Sequence, residues 1–253
     1  MRYKEPAKMN YIYGLHSVLE AIHLGKEMEK VFIRKSLNNE RSKELIRLLR
    51  ERDIPVQFVP NEKLQRISSK NHQGVIGLIS MIEYGRLEVL IPGLFEKGEI
   101  PFILILDEIT DVRNLGAIAR TAEFAGAHAL VIPAKGSAQI NADTIKTSSG
   151  ALHKLPVCRT PELADSLTFL KNSGLKIIAG TEKAEKLYFD SDLSGPVAIV
   201  LGSEEKGISN KILLMADQLV RIPQFGKVDS LNVSVAAGVL CYEVIRQRQL
   251  SSS

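Results

Sequence analysis

Five polar residues stand just beyond apolar runs, where side chains do chemistry in folds of alternating strands and helices. Asn114 and Arg120 follow the run Phe102–Asp107, Glu204 follows Val197–Leu201, and Ser230 and Asn232 follow Leu219–Ile222. Taken one at a time, each is a weak signal for chemistry. Each residue also has a plain structural reading. Arg120 and Glu123 have the i,i+3 spacing of a helix salt bridge. Glu204 suits a solvated acid, and Ser230 and Asn232 suit helix caps. The loops that carry them, Gly202–Gly207 and Pro223–Ser230, are rich in small and polar residues. Ligands of open α/β sheets sit outside the carboxyl ends of the strands. These two loops are therefore the expected cofactor site, and Val197–Ala237 the organising stretch.

The elements that must position these residues follow from the apolar pattern. In the first third, Tyr11–Tyr13, Lys30–Ile33, Val56–Val59 and Gly74–Ile82 read as strands, with helices over Ser17–Leu24 and Glu40–Glu51. Asn61 is expected to cap a short helix through Ile67. This alternation predicts a compact α/β/α unit over 1–83. Residues 1–9 read as frayed. Residues 84–100, with Gly85, Pro92, Gly93 and Gly98, read as a linker holding at most one short helix. From 101 to 253 a second α/β domain begins with FILILD (102–107), apolar on both faces as inside a parallel sheet. Helices are expected over Asn114–Gly126, Gln139–Ser148, Pro161–Asn172 and Ser209–Met215. Strands are expected at Ala129–Ile132, Lys154–Val157 and Lys176–Ala179 as well as in the two runs that lead into the loops. The last helix, about Asn232 to Gln247, is apolar nearly all round, which predicts a buried helix and part of a homodimer interface.

Composition excludes several classes. No apolar run approaches the roughly 18 residues of a membrane span. The start MRYKEPAKMNYIYG has no apolar h-region, so a cytoplasmic protein is expected. Cys158 and Cys241 stand alone in apolar surroundings and are expected to be buried free thiols. The five histidines show no metal-ligand spacing, so no metal is expected. Charge is uneven: residues 1–83 carry 15 Lys and Arg against 10 Asp and Glu, while the other 170 residues carry 18 against 19. A polyanion such as RNA would be gripped first by the N-terminal third, where the polar loop Ser68–Gly74 is a candidate contact. The dinucleotide and phosphate-loop fingerprints are missing, as is the nucleophile elbow of a hydrolase.

Three ordered motifs resemble the SpoU (TrmH-type) family of RNA ribose 2′-O-methyltransferases, in the SPOUT superfamily. They are Asn114-Leu115-Gly116-Ala117-Ile118-Ala119-Arg120-Thr121-Ala122-Glu123, then Leu201-Gly202-Ser203-Glu204-Glu205-Lys206-Gly207, then Ile222-Pro223 with Ser230-Leu231-Asn232-Val233-Ser234-Val235-Ala236. Tyr13–Ala21 and Asn71–Val75 look like the family's small L30e-like substrate-binding domain, so the resemblance spans the chain. It is closest to the enzymes that methylate a guanosine of 23S ribosomal RNA. The resemblance implies a mostly parallel sheet with a deep trefoil knot in the SPOUT domain (101–253). It implies S-adenosylmethionine bound at Gly202, Ile222 and Leu231, and a site of Arg120, Asn114, Glu204, Ser230 and Asn232 completed across a homodimer. Methylation of transfer RNA, or of a ribosomal adenosine, shares these motifs. A non-catalytic RNA-binding assembly factor on the same fold has no need for Asn114, Arg120, Glu204 and Asn232 together.

Overall fold

The structure, a computed structural model, describes residues 10–228 and 230–251; the stretch 1–9, expected to fray, lies outside them. The chain divides into two compact units, one formed by the residues before Tyr84 together with Ile140–Asp143, the other by Tyr84–Gln139 and the residues from Thr144 onward.

The first unit runs β1 (Tyr11–Tyr13), α1 (Leu15–His23), β2 (Met28–Arg34), α2 (Glu40–Glu51), β3 (Val56–Val59), α3 (Asn61–Ile67) and β4 (Val75–Ile79). Its four strands lie in the order β1-β4-β2-β3; only β2 and β3 pair in parallel. Side chains alternate across a strand, and β2 divides its residues accordingly. Val31 and Ile33 face α1 and α2, whose Val18, Ile22, Leu45 and Leu49 are fully buried, while Phe32 faces α3 through Leu64. Asn39 starts α2 with a capping box: its Oδ1 accepts from the Ser42 N–H at 2.8 Å, and Ser42 Oγ accepts from the Asn39 N–H at 2.9 Å. Asn61 does not cap α3. Pro60 holds the cap position at φ −63°, and Asn61 is already helical, since proline's fixed φ and lack of N–H suit the boundary.

The second unit begins earlier than the linker reading allows. Tyr84–Gly85 is a strand, β5, and Leu87–Glu96 a ten-residue helix, α4. Leu87, Ile91 and Leu94 recur at helical spacing and enter the core. Their burial contributes about 1.5–3 kcal/mol each, which outweighs the roughly 4 kcal/mol that Pro92 and Gly93 cost a helix interior. There follow β6 (Phe102–Asp107), α5 (Val112–Phe124), β7 (Ala129–Pro133), α6 (Ala142–Thr147), β8 (Val157–Thr160), α7 (Leu163–Asn172), β9 (Lys176–Gly180), β10 (Val197–Gly202), α8 (Asn210–Met215), β11 (Gln218–Val220) and α9 (Val233–Ser251). The strand expected at Lys154–Val157 starts only at Val157, after a turn. Pro161 precedes α7 instead of opening it, with Glu162 at the cap.

These strands form a seven-stranded sheet in the order β11-β9-β10-β6-β7-β8-β5, every pair parallel. All six residues of β6 are buried, as its apolar run predicts for a central strand. One face is covered by α4, α7 and α8, through Ile91, Leu167 and Ile212. The other carries α5 and α9. A Cβ on Gly180 of β9 would lie 2.8 Å from Leu240 Cδ1, so α9 rests directly on that glycine. The far end of α9 is tied down by Arg248, which donates to the carbonyls of Ile100, Pro101 and Gly195 at 2.9–3.0 Å.

The expectation that α9 is buried on all sides does not hold within one chain. Val233, Ala237, Leu240, Cys241 and Val244 form a buried stripe, but Val235 and Tyr242, seven residues apart, are about half exposed. Apolar residues all round a helix fill two faces, and this fold covers one. Among the described residues no helix is long and apolar enough to cross a membrane.

Candidate active site

β6 and β10 are parallel neighbours with Gly202 opposite Asp107, so their loops leave the sheet side by side. The loop after β10 folds tightly on its root. A Cβ on Gly202 would come within 2.1 Å of the Gly207 carbonyl carbon, so only glycine fits. Ser203 closes the bend: its carbonyl accepts from the Gly207 N–H at 2.8 Å, and its Oγ from the Lys206 N–H at 3.1 Å.

This bend aims Glu204 at the start of α9. Its Oε1 accepts from the Val233 N–H at 3.0 Å, from Asn232 Nδ2, and from Asn114 Nδ2 at 3.5 Å. Asn232 Nδ2 also donates to Asn114 Oδ1 at 3.0 Å. Three residues separated by 90, 28 and 118 positions thus share one hydrogen-bonded cluster. A carboxylate at a helix N-terminus is also favoured by the helix dipole. The capping reading of Asn232 holds as well, because its Oδ1 accepts from the Ser234 N–H at 3.0 Å. One amide therefore caps α9 and faces Glu204. Asn114 is set by the first turn of α5, where Asp111 Oδ1 accepts from the Arg113 N–H at 2.6 Å. Gly116 lets α6 press on that turn; a Cβ there would meet Thr147 Cβ at 2.7 Å and the Thr144 carbonyl at 2.8 Å.

The other expected site residues are not drawn into the cluster. Arg120 lies six residues beyond Asn114, about 240° around α5, and is exposed. The i,i+3 salt bridge suggested by its spacing does not form: Glu123 pairs instead with Lys154 at 3.9 Å. Ser230 is exposed. Leu231, next to Asn232, is 48% exposed. Ile222 is half-buried at the exit of β11, two strands from Gly202 in the sheet.

Sequence reasoning missed the acids that end β6. Asp107 is 6% exposed, and its Oδ2 accepts from the Ser209 N–H at 2.8 Å. Glu108 turns the chain in the left-handed region, φ +54°, and pairs with Lys206 at 2.9 Å. That hydrogen bond holds the Lys206 ammonium above its ordinary pKa. The available signal was an acid closing an otherwise apolar run. Cys158 and Cys241 are buried, and desolvation pushes both thiols up to about 12.

In the first unit, Tyr13–Ala21 and Asn71–Val75 meet at one end of the sheet. The Gly14 N–H donates to the Val75 carbonyl at 3.0 Å, and Gln73 and Gly74 both have positive φ. Cations gather there. Arg34 packs on Gly74, Arg41 hydrogen-bonds the His16 ring, and Lys70 lies 5.0 Å from the centre of the Tyr13 ring.

The family model of the SpoU rRNA methylases matches residues 101–242, which hold this cluster and all three motifs. The chain belongs to the SpoU rRNA methylase family. A second model, of the RNA 2′-O ribose methyltransferase substrate-binding domain, matches residues 11–85 of this SpoU chain. The SpoU chain is 36% identical over 239 residues to a putative TrmH family tRNA/rRNA methyltransferase of Bacillus subtilis, covering 94% of this chain and 96% of that one. It is also 36% identical over 245 residues to a 23S rRNA (guanosine-2′-O-)-methyltransferase of Yersinia pestis, covering 95% and 98%. Among solved structures it resembles an AdoMet-bound rRNA methyltransferase from Sinorhizobium meliloti, with a TM-score of 0.60 at 25% identity, over 93% of this chain and 86% of that one. The family expected from the motifs is thus the family found, on the mixed α/β fold with a parallel sheet that was expected.

Proposed function

We propose that this chain transfers a methyl group from S-adenosylmethionine to a ribose 2′-hydroxyl of RNA, and that the target is a guanosine of 23S ribosomal RNA. The observation that carries the reading is the convergence of Asn114, Glu204 and Asn232 at the carboxyl ends of parallel strands. The Yersinia relative supports the guanosine target, and the name of the Bacillus relative keeps transfer RNA as the second reading.

The loops fit the cofactor. Gly202 lets the loop fold closely on Gly207 at the strand end, and Leu231 offers exposed apolar surface beside the cluster. Gly202, Ile222 and Leu231 are the residues that would hold it. When bound, S-adenosylmethionine supplies an electrophilic methyl group on a sulfonium.

The protein's own part is to bring the ribose oxygen to near-attack distance and angle. Arg120 presents a planar guanidinium with hydrogen-bond donors in a fixed fork. Its role is to pair with the phosphate beside the target ribose and to stabilise negative charge that builds on the 2′-oxygen. Asn114, Glu204, Ser230 and Asn232 orient the ribose and the cofactor. Arg120 turns away from the cluster of its own chain, which suits a site completed by a second copy. The half-exposed Val235 and Tyr242 of α9 supply apolar surface for that homodimer. A monomer mass at every concentration in light scattering would refute it.

The same reading gives the second unit a trefoil knot. Support comes from the segment between β9 and β10, which is bonded both to the exit of β11, where the Arg221 N–H donates to the Lys186 carbonyl at 2.9 Å, and to α9, where Gln247 Nε2 donates to the Ser191 carbonyl at 2.9 Å. The first unit, L30e-like on this reading, holds the RNA through its cationic end.

The test is a map of 2′-O-methylation in ribosomal and transfer RNA from cells with and without the gene, complemented by wild type or Arg120→Ala. Loss of one guanosine methylation in 23S RNA, restored by wild type and not by Arg120→Ala, is expected. An unchanged map refutes the reaction, and a lost transfer-RNA methylation selects the second reading. Restoration by Arg120→Ala removes Arg120 from the mechanism.

A further inference from the structure

We infer that Asp107 is a positioning residue that sets the loop after β10 from the neighbouring strand and so fixes the affinity for the methyl donor. The inference rests on the proposed function for what the loop binds, but not for the geometry. Burying a carboxylate is costly unless it is hydrogen-bonded, and Asp107 is 6% exposed at the last position of a strand that is otherwise wholly apolar. Its one described partner is a backbone N–H 102 residues away, that of Ser209 at 2.8 Å.

That partner stands where position matters most. The loop is rooted at Gly202, which is paired with Asp107 itself in the β6–β10 register. It is closed at its waist by Ser203 and Gly207 and ends at Ser209, the cap position of α8. The waist bond lies within the loop's own segment and would move with it, while the β6–β10 pairing holds only the loop's root. The Asp107–Ser209 bond comes from β6, in the middle of the sheet, and stops the loop from pivoting about Gly202. Glu108 repeats the connection more weakly through its exposed pair with Lys206. Glu204 stands between the root and these two ties, so its reach to Asn232 and Val233 depends on them.

The test removes each end of the bond separately in the full chain. Asp107→Ala deletes the acceptor. Ser209→Pro deletes the donor with little strain, because Ser209 already has φ −61°, the value proline imposes. Affinity for S-adenosylmethionine is measured by equilibrium dialysis, and affinity for ribosomal RNA from cells lacking the gene by filter binding. Each variant is expected to weaken cofactor binding about ten-fold, in keeping with a bond to a charged group, and to leave RNA binding within two-fold. The double variant should be no worse than either single one. Asp107→Asn, whose amide oxygen can accept the same N–H, should restore most of the affinity.

Full cofactor affinity in folded Asp107→Ala or Ser209→Pro overturns the inference. So does equal loss of RNA and cofactor binding, which would mark general destabilisation, and so do additive effects in the double variant. Should one single variant fail to fold, the other with Asp107→Asn decides by the same criteria. A wild-type protein that binds no S-adenosylmethionine overturns the functional reading itself, and this inference with it.

Discussion

Replacing Glu204 by alanine tests whether the cluster holds the start of α9. Three donors lose their acceptor. Asn114 Nδ2 loses only a 3.5 Å contact, and Asn232 Nδ2 keeps Asn114 Oδ1 at 3.0 Å. The Val233 N–H keeps nothing, because the cap oxygen of Asn232 is already used by Ser234. Val233 is 5% exposed, so its donor is left in a largely buried place. An unsatisfied buried donor costs about 1–3 kcal/mol; water can reach the space vacated by Glu204, which places the cost at the lower end, about 1–2 kcal/mol. That is a small part of a domain stability of about 5–15 kcal/mol, so the fold persists while the first turn of α9 loosens. In native-state hydrogen exchange by mass spectrometry, the peptide that begins α9 should then exchange about 5- to 30-fold faster, as 1–2 kcal/mol of local opening requires. The helix end near Arg248 should be unaffected. Glu204→Gln retains an acceptor oxygen and should exchange less than about five-fold faster. Methyl transfer by Glu204→Ala should fall at least about ten-fold, since Asn232 and Asn114 lose their common anchor. Unchanged exchange at the start of α9 in Glu204→Ala would refute the reasoning, because the Val233 bond could then carry no load.

Two further outcomes follow from the titrating groups. Cys158 and Cys241, with thiols pushed up to about 12 by burial, should resist a thiol reagent at pH 8 in the native protein and react in denaturant; rapid native labelling would show that either one is accessible. Asp217 feels a desolvation that raises its pKa, but hydrogen bonds from Lys171 at 2.7 Å and from the Ile177 N–H at 2.8 Å leave it below the ordinary carboxylate value. Its contribution is therefore full above that ordinary value and is lost as pH falls through the lowered one. Asp217→Asn should cost about 1 kcal/mol in urea unfolding at pH 7 and less near pH 3; an equal cost at both would contradict the linkage.

Much of the fold was legible because burial repeats with a fixed period. The helix at Glu40–Glu51 and the strands at Val56–Val59 and Phe102–Asp107 have the limits their apolar patterns predict. Two features depend on packing that the local pattern does not carry. Pro92 and Gly93 are local helix breakers, yet α4 forms because a core waits for Leu87, Ile91 and Leu94. The apolar residues all round α9 report its composition, but which face is covered depends on α5 and the sheet.

The sequence by itself determined which residue types stand at the strand ends, the glycine at the root of the loop after β10, the cap at Asn232, and the three ordered motifs that place the chain in its family. Tertiary structure alone decided which of them meet. Asn114, Glu204 and Asn232 come together because β6 and β10 are parallel neighbours and α9 packs beside α5, and neither fact leaves a periodic trace along the chain. Arg120 and Glu123 show the converse. Their spacing permits a pair, but Lys154, brought in by the turn before β8, takes the acid. Asp107 was hidden for the same reason: the N–H that justifies burying it lies 102 residues away. Spacing along a helix or strand fixes direction only within that element, and contacts between elements are set by packing.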